Sequence, residues 1–212
     1  MNYSQCFSII SFIIVLISLV MHEMAHAYTA VAMGDDTPRY SGRLSANPLR
    51  HLDMTGSVLL PGILMLVNSP VIFGWAKPVM FNENNFITPF ARRYGALITA
   101  MAGPISNITI AIIMGMILRF YASSLSVGTV TIMSLIVLVN LTLALFNLLP
   151  IPPLDGHYII EHIFPRKFNL SVLIGRFGIM GMVLPLVFAL IIWQFIEPVI
   201  PFLFTSITGI NI

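Results

Sequence analysis

The sequence has few charged residues: only 8% of its 212 residues are Asp, Glu, Lys or Arg. Soluble globular domains carry charge on about a quarter of their residues, so this deficit, together with 58% hydrophobic residues, excludes an ordinary soluble domain. The basic and acidic residues leave a net charge of +2, which is too small and too scattered for a nucleic-acid surface. The composition therefore predicts an integral membrane protein that binds no nucleic acid.

Cysteine is equally scarce. The single Cys6 has no partner for a disulfide within the chain, so the fold cannot depend on internal disulfides. The N-terminal region lacks a basic stretch and a small-residue cleavage site, which predicts a retained membrane helix instead of a signal peptide. Because no repeat or low-complexity tract divides the sequence, we expect one integral-membrane domain over residues 1–212.

Four apolar stretches, residues 6–33, 94–118, 127–149 and 177–196, reach the roughly 20 residues needed to cross a bilayer. A fifth stretch, residues 54–76, is interrupted by Pro and Gly and either spans or re-enters. Re-entry leaves every Lys and Arg except Arg119 on one face, as expected of cytoplasmic loops. The pattern predicts an all-α polytopic membrane protein with about four full spans, a re-entrant segment and a short helix, or up to six membrane segments.

Two polar segments beside the fifth stretch, residues 39–48 and 75–81, are punctuated by Gly and Pro. Such segments are typical of short strands with turns, and Pro78 is typical of an edge position. We therefore expect small β elements at the cytoplasmic face. The alternative is a pair of connecting loops.

The pentapeptide His22-Glu23-Met24-Ala25-His26 lies near the cytoplasmic end of the first span. Residues four apart on a helix are separated by about 40° around its axis, so both imidazoles point toward one metal ion. Glu23 suits the role of general base. Ionisable side chains in a membrane helix cost ~2.5–3.5 kcal/mol each, and a divalent cation compensates for that cost. The alternative is that the three side chains merely lie at the water interface.

A catalytic zinc site usually takes three protein ligands and leaves one position open. Among the remaining acidic and histidine residues, only Asp155 stands in an unusual backbone setting, because Pro150, Pro152 and Pro153 prevent an ordinary helix before it. Irregular backbone at membrane depth is tolerated where it lines a cavity, which predicts Asp155 as the third ligand. The alternative is a solvated Asp in a Pro-rich interfacial loop.

Several amides lie on the apolar helices. Asn140 and Asn147 share a helix face and are candidates for binding substrate or the oxyanion, although interhelical hydrogen bonding explains Asn140 equally well. Ser106 and Asn107, beside Gly103, favour close helix packing.

The histidine pentapeptide and the N-x-x-P-x-x-P-x-D-G element from Asn147 to Gly156 resemble the ligand motifs of the site-2 protease family of intramembrane zinc metalloproteases. The stretch from Gly103 to Asn107 resembles the family's G-x-x-x-N element, and residues 47–53 and 73–79 resemble its small bacterial and archaeal branch. The resemblance implies a three-helix catalytic core with one zinc ion per chain. His22, His26 and Asp155 would be the ligands, and Glu23 the general base.

The same resemblance implies regulated intramembrane proteolysis. The expected reaction cleaves a peptide bond in or near the transmembrane helix of a single-span membrane protein. The expected location is a prokaryotic cell membrane, with the active site toward the cytoplasm. Many family members carry a PDZ or CBS domain, and we expect neither within 212 residues. The competing hypothesis is a non-catalytic zinc-binding transporter or scaffold, which would close its metal site with a fourth protein ligand and would not need Glu23.

Overall fold

The computed structural model describes residues 3–54, 59, 63, 77–164 and 178–211, and within these ranges the regular structure is helical. The helices are α1 (Tyr3–Met33), α2 (Thr37–Tyr40), α3 (Pro89–Tyr121), α4 (Val127–Asn147), α5 (His157–Ile163), α6 (Gly178–Ile196) and α7 (Val199–Thr208). Short 3-10 turns lie at Pro48–Arg50, Glu83–Asn85 and Ala122–Ser124. The helix α5 is the short helix predicted after Asp155.

Three helical stretches are long and apolar enough to cross a membrane: Cys6–Met33, Pro89–Ser124 and Val127–Asn147. The shortest has 21 residues and is therefore about 32 Å long, close to the roughly 30 Å of bilayer hydrocarbon. Val187–Ile196 and Val199–Thr208 are joined by a 50° bend and make a fourth span if they cross as one. The prediction of a polytopic helical membrane protein is thus confirmed, with three or four spans in the described residues. The predicted re-entrant segment, residues 54–76, lies almost entirely outside them.

The ends of the long helices follow from local sequence signals. Helix α1 ends at Gly34, whose φ of 107° is a conformation that other residues adopt only with strain. There the Gly34 amide donates to Val31 and the Asp35 amide donates to Ala30, which satisfies carbonyls of the last turn. Helix α3 begins after Thr88, whose hydroxyl accepts from the Ala91 amide. The Ile87 amide donates to the Met33 carbonyl, which places the start of α3 beside the end of α1.

The helices α1, α3 and α4 pack against one another and form the centre of the molecule. Small side chains bury completely where these helices meet, which lets their backbones approach closely: Ala27, Ala30, Ala100, Ala111 and Ala144. Large apolar side chains such as Phe12, Ile113 and Phe188 are exposed instead, as expected of a surface that faces lipid. Ser18, His22 and His26 of the first span are buried instead and hydrogen-bond to the other two helices.

The expectation of small β elements is not confirmed: among the described residues, neither 39–48 nor 77–81 forms a strand. Thr37–Tyr40 is a turn of helix with a proline at its start, because the Asp35 carboxylate accepts from both the amide and the hydroxyl of Thr37. Residues 77–81 have no regular structure. Their amides go elsewhere: Lys77 donates to the His51 carbonyl and Val79 to the Glu23 carboxylate. Residues 77–81 are thus held by one backbone bond and one bond to a distant side chain, without a strand.

Candidate metal centre

The structure brings the three predicted ligands together inside the helix bundle. The Nε2 atom of His22 lies 3.0 Å from Asp155 Oδ2, and the Nε2 atom of His26 lies 3.4 Å from the same oxygen. Their ligand atoms all lie within 4.8 Å of one another. A tetrahedral zinc ion with bonds of about 2.0–2.1 Å separates its ligand atoms by roughly 3.3 Å, so these spacings suit zinc.

Asp155 reaches the histidines because the chain folds back after α4. Residues 148–156 leave the helix, and the Gly156 amide then donates to the Asn147 carbonyl at 2.7 Å. The side chains of Leu149, Ile151 and Leu154 are buried and pack together with Ala189 of α6. This apolar anchoring holds the irregular segment and directs the Asp155 carboxylate toward α1.

The second ring nitrogen of each histidine has its own partner. His22 Nδ1 lies 2.5 Å from Asn107 Oδ1, and His26 Nδ1 lies 2.7 Å from the Thr99 carbonyl oxygen. Both partners are oxygen acceptors, so Nδ1 carries the proton and donates, and Nε2 presents its lone pair to the centre. Partners of this kind fix the tautomer and orientation of metal-binding histidines.

The space between the ligands is kept open by Gly103 of α3. A Cβ atom at this position would lie 2.6 Å from His22 Nε2 and would also contact His26 Nε2. The donor atoms are two nitrogens and one carboxylate oxygen, and a single methyl group would fill the space between them. Both features fit a zinc ion. Within the part of the chain that the structure describes, no fourth His, Cys, Asp or Glu joins these three ligands. The donor set therefore has the composition of a catalytic site, with one position for water or substrate.

Glu23 lies beside the ligands without belonging to their group. Its side chain is buried, and its Oε2 atom accepts from the Val79 amide at 2.9 Å. This hydrogen bond orients the carboxylate through Oε2, and Oε1 is left for proton transfer.

Tyr158 is a second ionisable group, in the short helix after Asp155. Burial together with the charges of Glu83, Glu161 and Asp155 raises the pKa of Tyr158 to about 12. This phenol therefore stays protonated at neutral pH and does not compete with Glu23 as a base.

The side chains of the two candidate asparagines make hydrogen bonds within and between helices. Asn140 is fully buried: its Oδ1 accepts from Asn107, and its Nδ2 donates to Ser18 Oγ and the Ile136 carbonyl. All its polar groups are thus used between and within helices, which favours the interhelical alternative. Asn147 donates from its amide to the Leu143 carbonyl of its own helix. Its role in binding substrate or the oxyanion stays a prediction.

Sequence reasoning underrated Asn107. Its expected role was helix packing, yet it accepts from His22 and donates to Asn140, so it connects α1, α3 and α4 through one hydrogen-bonded chain. The available signal was its spacing of four residues from Gly103, which places both on one face of α3. The Thr99 carbonyl and the Val79 amide left no such signal, because every residue has these backbone groups.

Membrane-crossing helices that enclose two histidines, an aspartate and a neighbouring glutamate define an integral membrane protein with a candidate zinc site. Comparison with known proteins agrees: residues 113–192 match Peptidase family M50. A protein of Bacillus subtilis (strain 168) named "Putative zinc metalloprotease YwhC" is 40% identical over 160 residues, covering 72% of this chain and 68% of its own length.

More distant relatives agree. Rip2 of Mycolicibacterium smegmatis, whose name has the same description, is 28% identical over 190 residues, covering 85% of this chain and 70% of its own length. Zinc metalloprotease MJ0392 of Methanocaldococcus jannaschii is 24% identical over 171 residues, covering 80% and 38%. No solved structure matches the chain. The chain belongs to peptidase family M50, the site-2 protease family of zinc metalloproteases.

Proposed function

We propose that this protein is an intramembrane zinc metalloprotease of the site-2 type. The proposed reaction hydrolyses a peptide bond in or near the transmembrane helix of a single-span membrane protein, as in regulated intramembrane proteolysis. The observation that carries the proposal is the convergence of His22, His26 and Asp155, with Glu23 beside them, inside a bundle of membrane-spanning helices. The non-catalytic alternative predicts a fourth protein ligand, and the described residues supply none.

In this proposal one zinc ion per chain would be held by the Nε2 atoms of His22 and His26 and by the Asp155 carboxylate. Bound zinc supplies the Lewis acidity that makes a water molecule ionisable near neutral pH. As the oxygen of the attacking water bonds to the peptide carbonyl carbon, Glu23 takes a proton from that water. Glu23 then returns that proton to the leaving nitrogen as the carbon–nitrogen bond breaks. The Val79 amide holds the Glu23 carboxylate in place during both transfers.

The proposed substrate is a helix that unwinds easily. Carbonyl groups in a transmembrane helix are held in internal hydrogen bonds, so the scissile bond must leave the helix before attack. Gly destabilises a helix by ~1 kcal/mol relative to Ala. We therefore expect Gly-to-Leu changes near the scissile bond to slow cleavage in vesicles by about fivefold per residue. The measurement is the cleavage rate of a reconstituted single-span substrate, with a chelator-treated sample as the control.

The same Gly-to-Leu change is tested in a soluble, unstructured peptide of the same sequence. Such a peptide needs no unwinding, so the effect of the change should shrink. Equal slowing in the peptide and in the membrane helix would show that side chains are read in a pocket, and helix instability would have to be abandoned as the criterion.

We also propose that the site faces the cytoplasm of a prokaryotic cell membrane, because Arg39, Arg43 and Arg50 follow the α1 end that carries the ligands. Exposed positions allow a direct test in a Cys6→Ser background. Ala46→Cys and Asn84→Cys should both label with an impermeant reagent from the cytoplasmic side of sealed vesicles. Ser123→Cys, between α3 and α4, should label only from the opposite side. Labelling of Ala46→Cys and Asn84→Cys from opposite sides would overturn this orientation.

A further inference from the structure

A segment outside the ligand motifs contacts the proposed general base. Residues 77–87, here called the strap, precede α3 and contain a single turn of 3-10 helix, Glu83–Asn85. Four hydrogen bonds attach the strap to α1 and to Asp35, which follows Gly34. Two of them reach α1: Val79 N donates to Glu23 Oε2 at 2.9 Å, and Ile87 N donates to the Met33 carbonyl at 3.3 Å. The other two reach Asp35: Asn82 N donates to Oδ2 at 2.6 Å, and Asn85 Nδ2 donates to Oδ1 at 2.7 Å.

Asp35 is the centre of this attachment. Its side chain is completely buried, and it accepts from the amide and hydroxyl of Thr37 as well as from Asn82 and Asn85. Burial opposes the charge of Asp35, but these donors together hold its pKa below the ordinary value. The carboxylate is therefore ionised at neutral pH, and a neutral side chain of the same shape would not accept from so many donors.

We propose that Asp35 is a positioning residue for Glu23, acting through the strap. Only two residues lie between Asn82, which Asp35 holds, and Val79, whose amide holds Glu23. Fixing Asn82 therefore limits how far the Val79 amide can move from the carboxylate. Asp35 itself lies twelve residues beyond Glu23 in the sequence, and its hydrogen bonds go to Thr37, Asn82 and Asn85 instead of to the metal ligands. The inference rests on the proposed function only where it assigns a catalytic consequence to the hydrogen bond between the Val79 amide and Glu23.

The chain provides a matched control next to Asp35. Asp36 is a carboxylate at the adjoining position, but it is partly exposed and pairs with Arg39 at 2.8 Å. Exposed ion pairs contribute little to stability, so Asp36→Asn should leave turnover and the strap unchanged. Comparing Asp35→Asn with Asp36→Asn therefore separates loss of this attachment from loss of one negative charge at the end of α1.

The experiment measures kcat, KM and zinc content of the reconstituted protein, together with hydrogen exchange of the Val79 amide. Asp35→Asn should lower kcat by about 10- to 100-fold, as expected for a catalytic group displaced by about 1 Å, with KM and zinc content unchanged. The Val79 amide should exchange faster in Asp35→Asn than in the wild type or Asp36→Asn. Adding Asn85→Asp to Asp35→Asn restores an amide–carboxylate pair and should recover part of both effects.

Each result has a defined meaning. Unchanged Val79 exchange in Asp35→Asn, or equal loss of kcat in Asp36→Asn, would overturn the positioning role. If the wild-type chain cleaves no substrate, the proposed function fails, whereas the exchange measurement still tests the attachment. If Asp35→Asn does not fold, Asn85→Ala removes one exposed donor to the same carboxylate and should give a smaller loss of kcat with faster Val79 exchange. Unchanged kcat and exchange in Asn85→Ala would then overturn the inference.

Discussion

Replacement of Glu23 by Gln is expected to slow hydrolysis by orders of magnitude while the protein keeps its zinc. Gln has the shape of Glu and retains an oxygen that accepts from the Val79 amide, but it cannot take a proton from water. General acid–base catalysis contributes about 10²–10⁴-fold, so turnover of a reconstituted substrate should fall by that factor. The three ligands are untouched in this variant, and elemental analysis should find zinc at the wild-type level.

A carboxylate far from the site supplies the control for this change. Glu197 is exposed at the bend between α6 and α7, so Glu197→Gln should leave both turnover and zinc content at wild-type values. Hydrolysis that persists in Glu23→Gln would remove Glu23 from the role of base. Loss of zinc in Glu23→Gln would instead identify Glu23 as a ligand, contrary to its position outside the ligand group.

Gly103→Ala is expected to prevent zinc binding. The added methyl group would lie 2.6 Å from His22 Nε2 and would also meet His26 Nε2, so it would occupy the space that the metal needs. Alanine is the better helix former by about 1 kcal/mol, so helix propensity alone predicts a gain in stability at this position. We expect zinc affinity, measured by competition with a chelator, to fall by more than the ~10–100-fold typical of residues that only support metal ligands.

The control for Gly103→Ala is Gly128→Ala in the first turn of α4. A Cβ atom at Gly128 would meet only Ser126 Oγ at 3.9 Å, which is ordinary contact. This variant should therefore keep full zinc affinity and equal or greater thermal stability. Wild-type zinc affinity in Gly103→Ala would mean that both histidine rings can move aside, and the close approach of α3 would then not define the site.

The membrane character of the protein and its candidate metal ligands were accessible from the sequence because both depend on short-range patterns. Long apolar stretches predicted the helices that became α1, α3 and α4. The spacing of His22 and His26 predicted that both rings share one helix face. The prolines before Asp155 predicted irregular backbone there, and the structure places this carboxylate within 3.4 Å of both histidine Nε2 atoms.

The segments around the strap were harder to predict because their conformation depends on individual side-chain hydrogen bonds instead of on residue composition. Residues 39–48 have the composition of a strand with turns, but the Asp35 carboxylate accepts from Thr37 and favours a helical turn at Thr37–Tyr40. Residues 75–81 have the pattern of an edge strand, yet the Val79 amide donates to a side chain 56 positions earlier. This second partner lies outside any local window of the sequence.

The sequence by itself indicated an integral membrane protein and singled out His22, Glu23, His26 and Asp155 as the candidate residues for its chemistry. Composition is a property of the whole sequence and helical periodicity is visible within a few turns, so neither conclusion required the tertiary structure. Only the tertiary structure decided that Asn107 and the Thr99 carbonyl orient the histidines, that Gly103 keeps the metal cradle open, and that the strap holds Glu23. These roles depend on backbone atoms and on close contacts between helices, and neither feature has a residue pattern of its own.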